Sequence, residues 1–152
     1  MSCQTNNVPL HEMTGSWDAH ELIGSRVWLV EPKWETLGYA EEAAFVLSLA
    51  QDLIEPQEEK FEVGLASVRG PEAVVVKAIV ERPLIDALQQ DDMGEARKLI
   101  CSHSALRMEV SKEFLIIDQH ERSACVEALI GLANAIHDGY MQVEEHLLEE
   151  NK

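Results

Sequence analysis

The chain has 152 residues, 46% hydrophobic and 26% charged, which suits one globular domain and excludes the apolar-poor composition of a disordered chain. Twelve Lys and Arg against 28 Asp and Glu give a formal charge of −16, which opposes contact with phosphate backbones and anionic lipid. That balance argues against nucleic-acid and membrane partners and would steer in a basic protein partner.

The first fifteen residues, with Asn6, Asn7, Pro9 and Gly15 and no periodicity, read as a flexible tail, leaving 16–152 as a single domain. Met1 to Glu12 carries neither a basic leader nor an apolar run, and no stretch approaches the roughly 18 apolar residues of a membrane span, so the expected compartment is the cytoplasm. Asp18 and Glu21 have capping-box spacing, which predicts a short helical turn stopped at Gly24. Arg26 to Val30 is apolar and β-rich and reads as a short strand ending before Pro32.

From Tyr39 to Ile54, Tyr39, Ala43, Val46, Ala50 and Leu53 recur at helical spacing, which predicts a largely buried helix stopped by Pro56. Phe61 to Val68 and Ala73 to Glu81 are strand-like arms around Arg69-Gly70-Pro71-Glu72, a β-hairpin with Phe61, Val63 and Leu65 on one face of the first arm. Pro83 suits the first turn of a helix through Leu84, Ile85 and Leu88, and a second helical piece follows near Glu95 to Ile100. Residues 105–118 fit two alternating strands around Ser111-Lys112, and also a helical stripe through Leu99, Leu106, Val110 and Phe114; the β-rich run Phe114 to Ile117 favours strands. From His120 to Glu150, the positions Val126, Leu129, Ala133, Ile136, Tyr140, Val143 and Leu147 step alternately by three and four, an apolar seam on one long helix that keeps its phase across Gly139.

No phosphate loop, nucleophile elbow or HExxH spacing is present, which lowers the expectation of an enzyme. Cys3, Cys101 and Cys125 form no CxxC pair and read as thiols in a reducing compartment. Cys101, His103, His120 and Cys125 have the donor chemistry of a zinc site, but positions 120 and 125 diverge around a helix, so no metal is expected. Cys101 or Cys125 with His103 or His120 has the residue types of thiolate catalysis, and the bland reading of each cysteine is a buried small side chain. The seam reads either as an intramolecular face on the sheet or as a dimer or partner surface, and Trp28 and Trp34 either as interface anchors or as lids on a core.

The element order from Tyr39 onward, helix, hairpin, helix, hairpin and long helix, resembles together with the acidity the small acidic secretion chaperones of type III export systems. It rests on topology, with no sequence motif, and implies an α+β homodimer that holds the unfolded segment of an effector. The chain departs from that pattern in the extension before Tyr39, and in having two strands after the first helix where the family has three, unless Arg26 to Val30 supplies the third.

The fold expected is α+β, an antiparallel sheet with helices packed on one face and a long C-terminal helix, with an all-α arrangement as the alternative. The function expected is that of a non-enzymatic protein-binding protein (chaperone-like, adaptor or inhibitor) without cofactor. Its candidate partner or dimer residues are Val126, Leu129, Ile136, Tyr140, Val143, Leu147, Trp28 and Trp34. A small cysteine- or metal-dependent enzyme is the alternative.

Overall fold

The computed structural model describes residues 17–22, 26–32, 39–102 and 104–150; the expected tail, the stop at Gly24, Trp34 and His103 lie outside them. In chain order the elements are β1 (Trp17–Glu21), β2 (Val27–Pro32), α1 (Ala40–Leu53), β3 (Lys60–Arg69), β4 (Glu72–Glu81), α2 (Arg82–Gln89), α3 (Met93–Cys101), β5 (Leu106–Val110), β6 (Phe114–Leu115) and α4 (Gln119–Glu150). The class is α+β, as the sequence predicts, and the long C-terminal helix is continuous through Gly139.

The sheet is built on the β3–β4 hairpin, whose ten-residue arms pair from Lys60 with Glu81 to Arg69 with Glu72. Gly70 holds φ at 60°, and Pro71 after it fixes a negative φ, the combination a type II′ turn requires. Strand order is β1-β2-β3-β4-β5, with β6 also on β4. Most pairs are antiparallel, but β2 runs parallel to β3, with Val27 beside Gly64 and Val30 beside Ser67. The expectation of a purely antiparallel sheet is corrected here: α1 lies between β2 and β3 in the chain, and a crossover of that length returns the chain in the same direction. Trp17–Glu21 is likewise a strand rather than a helical turn. Five residues are too few to offset the cost of nucleating a helix, whereas a ladder with β2 from Trp17 beside Pro32 to Glu21 beside Trp28 occupies them all.

Helices cover both faces of the sheet. On one, α1, α2 and α3 bury Phe61, Val63 and Leu65 of β3 and Val74, Val76, Ala78 and Val80 of β4. On the other, α4 lays Cys125, Ala128, Leu129 and Leu132 against Ala73, Val75, Phe114 and Val68. Helices on one face alone would have left Ala73 and Val75 in water, and burying side chains of Val size contributes roughly 1.5–3 kcal/mol each. Gly64 lets α4 come close, because a Cβ there would stand 2.9 Å from Leu132 Cδ2.

Residues 105–118 are strands, not helix, but they form no hairpin. Both β5 and β6 pair antiparallel with β4, one after the other, so they are two parts of a single edge strand.

Two ion-pair clusters tie elements across the helix-rich face. Glu42, fully buried in the first turn of α1, accepts from Ser67 Oγ and Arg69 Nη2, both at 2.7 Å, and so fixes α1 to the end of β3. Arg26 Nη2 meets Glu58 Oε1 at 2.6 Å while its guanidinium lies 4.3 Å from the Phe61 ring centre, and Arg82 donates to the carbonyls of Glu55 and Glu58. The connector between α1 and β3 is therefore held by two arginines through its own backbone and one carboxylate.

Candidate functional site

Helix α4 combines an inward arc, committed to the sheet, with an apolar flank that the sheet does not reach. Its start is fixed by Asp118, whose Oδ1 accepts from the Glu121 N–H at 3.0 Å, and by Glu121, which reaches back to the Leu115 N–H at 2.6 Å. From there Cys125, Ala128, Leu129, Leu132 and Ile136 face inward at helical spacing, and Ile136 retains only 4% of its exposure. Val126 and Ile130, one turn apart on the flank, stay 49% and 46% exposed.

Of the eight residues singled out from sequence, the four whose side chains are described, Trp28, Val126, Leu129 and Ile136, do not share one face. Leu129 and Ile136 lie on the sheet side of α4, and Val126 lies on its flank. Tyr140, Val143 and Leu147 fall within the helix, but their side chains lie outside the described set. Trp28 is half-buried on the opposite side of the sheet, edge-on to Phe45 with ring centres 5.7 Å apart. It therefore packs as a lid over the α1-side core, with the whole sheet between it and α4.

Sequence reasoning missed Ile130, because it sits outside the three-four seam; the signal was its spacing of four from Val126. It also missed the Glu42–Ser67–Arg69 cluster. An acidic residue in the first helical turn normally reads as a solvated partner of the helix dipole, and Ser67 and Arg69 are 25 and 27 residues away in the chain.

The cysteine chemistry weighed from sequence separates into two settings. Cys125 is buried in the α4 core, and desolvation pushes its thiol above the ordinary value of 9.0, so it is held in the protonated, non-nucleophilic form. Cys101 is half-buried at the last turn of α3, and His120 is exposed in the first turn of α4. Among the described residues no group of three or more His, Cys, Asp or Glu side chains is arranged to hold a metal ion, and no helix is long and apolar enough to cross a membrane.

Fold and candidate face thus define an α+β protein with helices on both faces of a six-stranded mixed sheet and an apolar flank on its last helix. No family model, no curated protein and no solved structure matches the chain.

Proposed function

We propose that this protein acts by binding another protein and not by catalysis, and that the flank of α4 at Val126 and Ile130 is the docking face. The observation that carries the reading is that pair: two β-branched aliphatic side chains, each about half exposed and adjacent on a helix whose inward arc already has its apolar partners. The burial of Cys125, which pushes its thiol up, argues in the same direction, since it makes a poor candidate of one of the two cysteines from which an enzymatic reading would draw its nucleophile.

The occupant is a segment of a partner with apolar anchors and basic flanks, because a chain of charge −16 attracts Lys and Arg at long range and repels acidic surfaces. Contacts with Val126 and Ile130 would supply affinity and the field would supply rate. The chaperone-like, adaptor and inhibitor roles share this chemistry.

The test is affinity isolation from the native source with wild type and with Val126→Glu/Ile130→Glu. Both side chains are already half in water, so the variant should fold with its denaturation midpoint little changed. Proteins retained by wild type should be absent from the variant, and their retention should weaken as salt is raised. Identical partners on both proteins would overturn the docking face. No retained protein, together with a stoichiometric hyper-reactive thiol at Cys101, would favour the enzymatic alternative.

A further inference from the structure

The outer edge formed by β5 and β6 should be a hazard. Among the described residues no strand pairs with its far side, where the Leu115 N–H is taken by Glu121 Oε2, and it exposes Val110 and Leu115, at 37% and 38%, towards the same face of the sheet. An uninterrupted strand of that kind is a template for a second copy of the chain.

The interruption lies at Ser111–Glu113. Along β5 the register is regular, Leu106 beside Val80 through Val110 beside Val76. Ser111 continues it opposite Val75, but with a substituted bond: its N–H donates to the Val75 carbonyl at 2.9 Å, while the Val75 N–H donates to Ser111 Oγ, also at 2.9 Å. Pairing resumes at Phe114 beside Ala73. Lys112 and Glu113 therefore stand together opposite the single residue Val74, a β-bulge. The serine hydroxyl satisfies the one β4 donor that the kink would strand, so the bulge leaves no buried N–H without a partner. Lys112 lies with its ammonium 5.2 Å from the centre of the Phe114 ring, which turns an edge charge back over the break.

We infer that this bulge is a built-in guard that keeps the β5–β6 edge from pairing with a second copy of the chain. It divides the edge into runs of five and two residues, so that a second copy meets a broken ladder in place of one continuous strand, and its local twist turns the outward groups of one run away from those of the other. The guard is geometric, with the charge of Lys112 secondary to it.

One deletion isolates the geometry. Removing Lys112 restores a single register from Leu106 to Leu115, with Glu113 opposite Val74, and leaves Val110, Phe114 and Leu115 each on the face they already occupy. The sheet core is thus unchanged while the edge becomes one nine-residue strand. Light scattering after size exclusion, at about 0.5 M salt to shorten the screening length well below 10 Å, should give wild-type mass for the length-preserving Lys112→Thr. For the deletion it should give a mass that rises with concentration towards about twice that value. Equal masses for all three proteins would overturn the inference. Association of Lys112→Thr to the same extent would also overturn it, by assigning the guard to charge. If the deletion fails to fold by circular dichroism, removing Glu113 instead creates the same register with Lys112 opposite Val74. If neither deletion folds, the bulge is a requirement of the fold and the guard role is refuted.

Discussion

Gly64→Ala measures how closely α4 is seated on the sheet. The new methyl would stand 2.9 Å from Leu132 Cδ2, 3.2 Å from its Cγ and 3.4 Å from Val27 Cγ2. The first of these is about 0.6 Å short of the roughly 3.5 Å at which carbon pairs begin to attract. Leu132 must turn or α4 must lift, and forcing an extra methyl into a packed site costs typically about 1–3 kcal/mol. Against this, alanine in a strand interior is about 0.5–1 kcal/mol better than glycine on backbone grounds. The net expectation is a loss of about 1 kcal/mol. In a Leu132→Ala background the obstruction is gone, only the backbone gain remains, and Gly64→Ala should become stabilising by about 0.5–1 kcal/mol. The sign reversal, a coupling of about 2 kcal/mol, is read from urea denaturation of the four proteins at constant m-value. An equal loss in both backgrounds would mean that Leu132 does not sit over Gly64 and that the packing of α4 is misassigned.

Ile136→Ala should cost about 2–4 kcal/mol in the same assay and Val126→Ala less than about 0.5 kcal/mol, because the first side chain is fully packed and the second is half in water; equal losses would place both residues in one core. Arg69→Met should destabilise more than Glu42→Leu. Losing the arginine leaves a fully buried carboxylate with only the Ser67 hydroxyl, at a cost of about 3–5 kcal/mol, whereas losing the carboxylate leaves a guanidinium with 35% of its side chain in water; the reverse order of midpoints would refute the assignment. Stability should also fall as pH rises past about 9 in wild type and fall less in Cys125→Ala. The thiol is raised by burial in the folded state, so its contribution is intact below the unfolded value of 9.0 and is lost as pH rises through the folded one; superimposable pH profiles would contradict it.

The elements that sequence made legible carry their own local signals. In the β3–β4 hairpin, alternation of Phe61, Val63 and Leu65 coincides with a Gly-Pro turn whose dihedral needs are met by those two residues alone. In α1 and α2, helical spacing agrees with Pro56 beyond one end and Pro83 inside the other. What stayed hidden depends on distant pairing. Asp18 and Glu21 look like a helix start until β2 is placed alongside them, and Val110-Ser111-Lys112-Glu113-Phe114 looks like a hairpin turn until both halves are seen on β4. The second helical layer was partly visible: β4 reads Ala73-Val74-Val75-Val76, apolar in both parities, which marks a strand buried on both faces and not on one. The candidate face was the least legible part, because exposure of Val126 and Ile130 depends on how far α4 is rotated about its axis on the sheet.

That rotation follows from a mismatch of periods. A three-four seam repeats every seven residues, whereas a straight α-helix completes two turns in about 7.2, so the seam drifts by roughly 20° per heptad against any fixed direction. Two helices wound around each other absorb the drift by supercoiling, but a helix lying on a sheet is not so wound, and its inward arc follows the 3.6 period through Cys125, Ala128, Leu132 and Ile136. Early in the helix the seam and the inward arc therefore diverge, and Val126 is carried onto the flank beside Ile130. By Ile136 they have converged, and the side chain is buried. Among the described side chains of α4, Val126 and Ile130 are exposed for this reason, and replacing them with charged residues should alter what the flank can bind while leaving Ile136 and the sheet beneath it undisturbed.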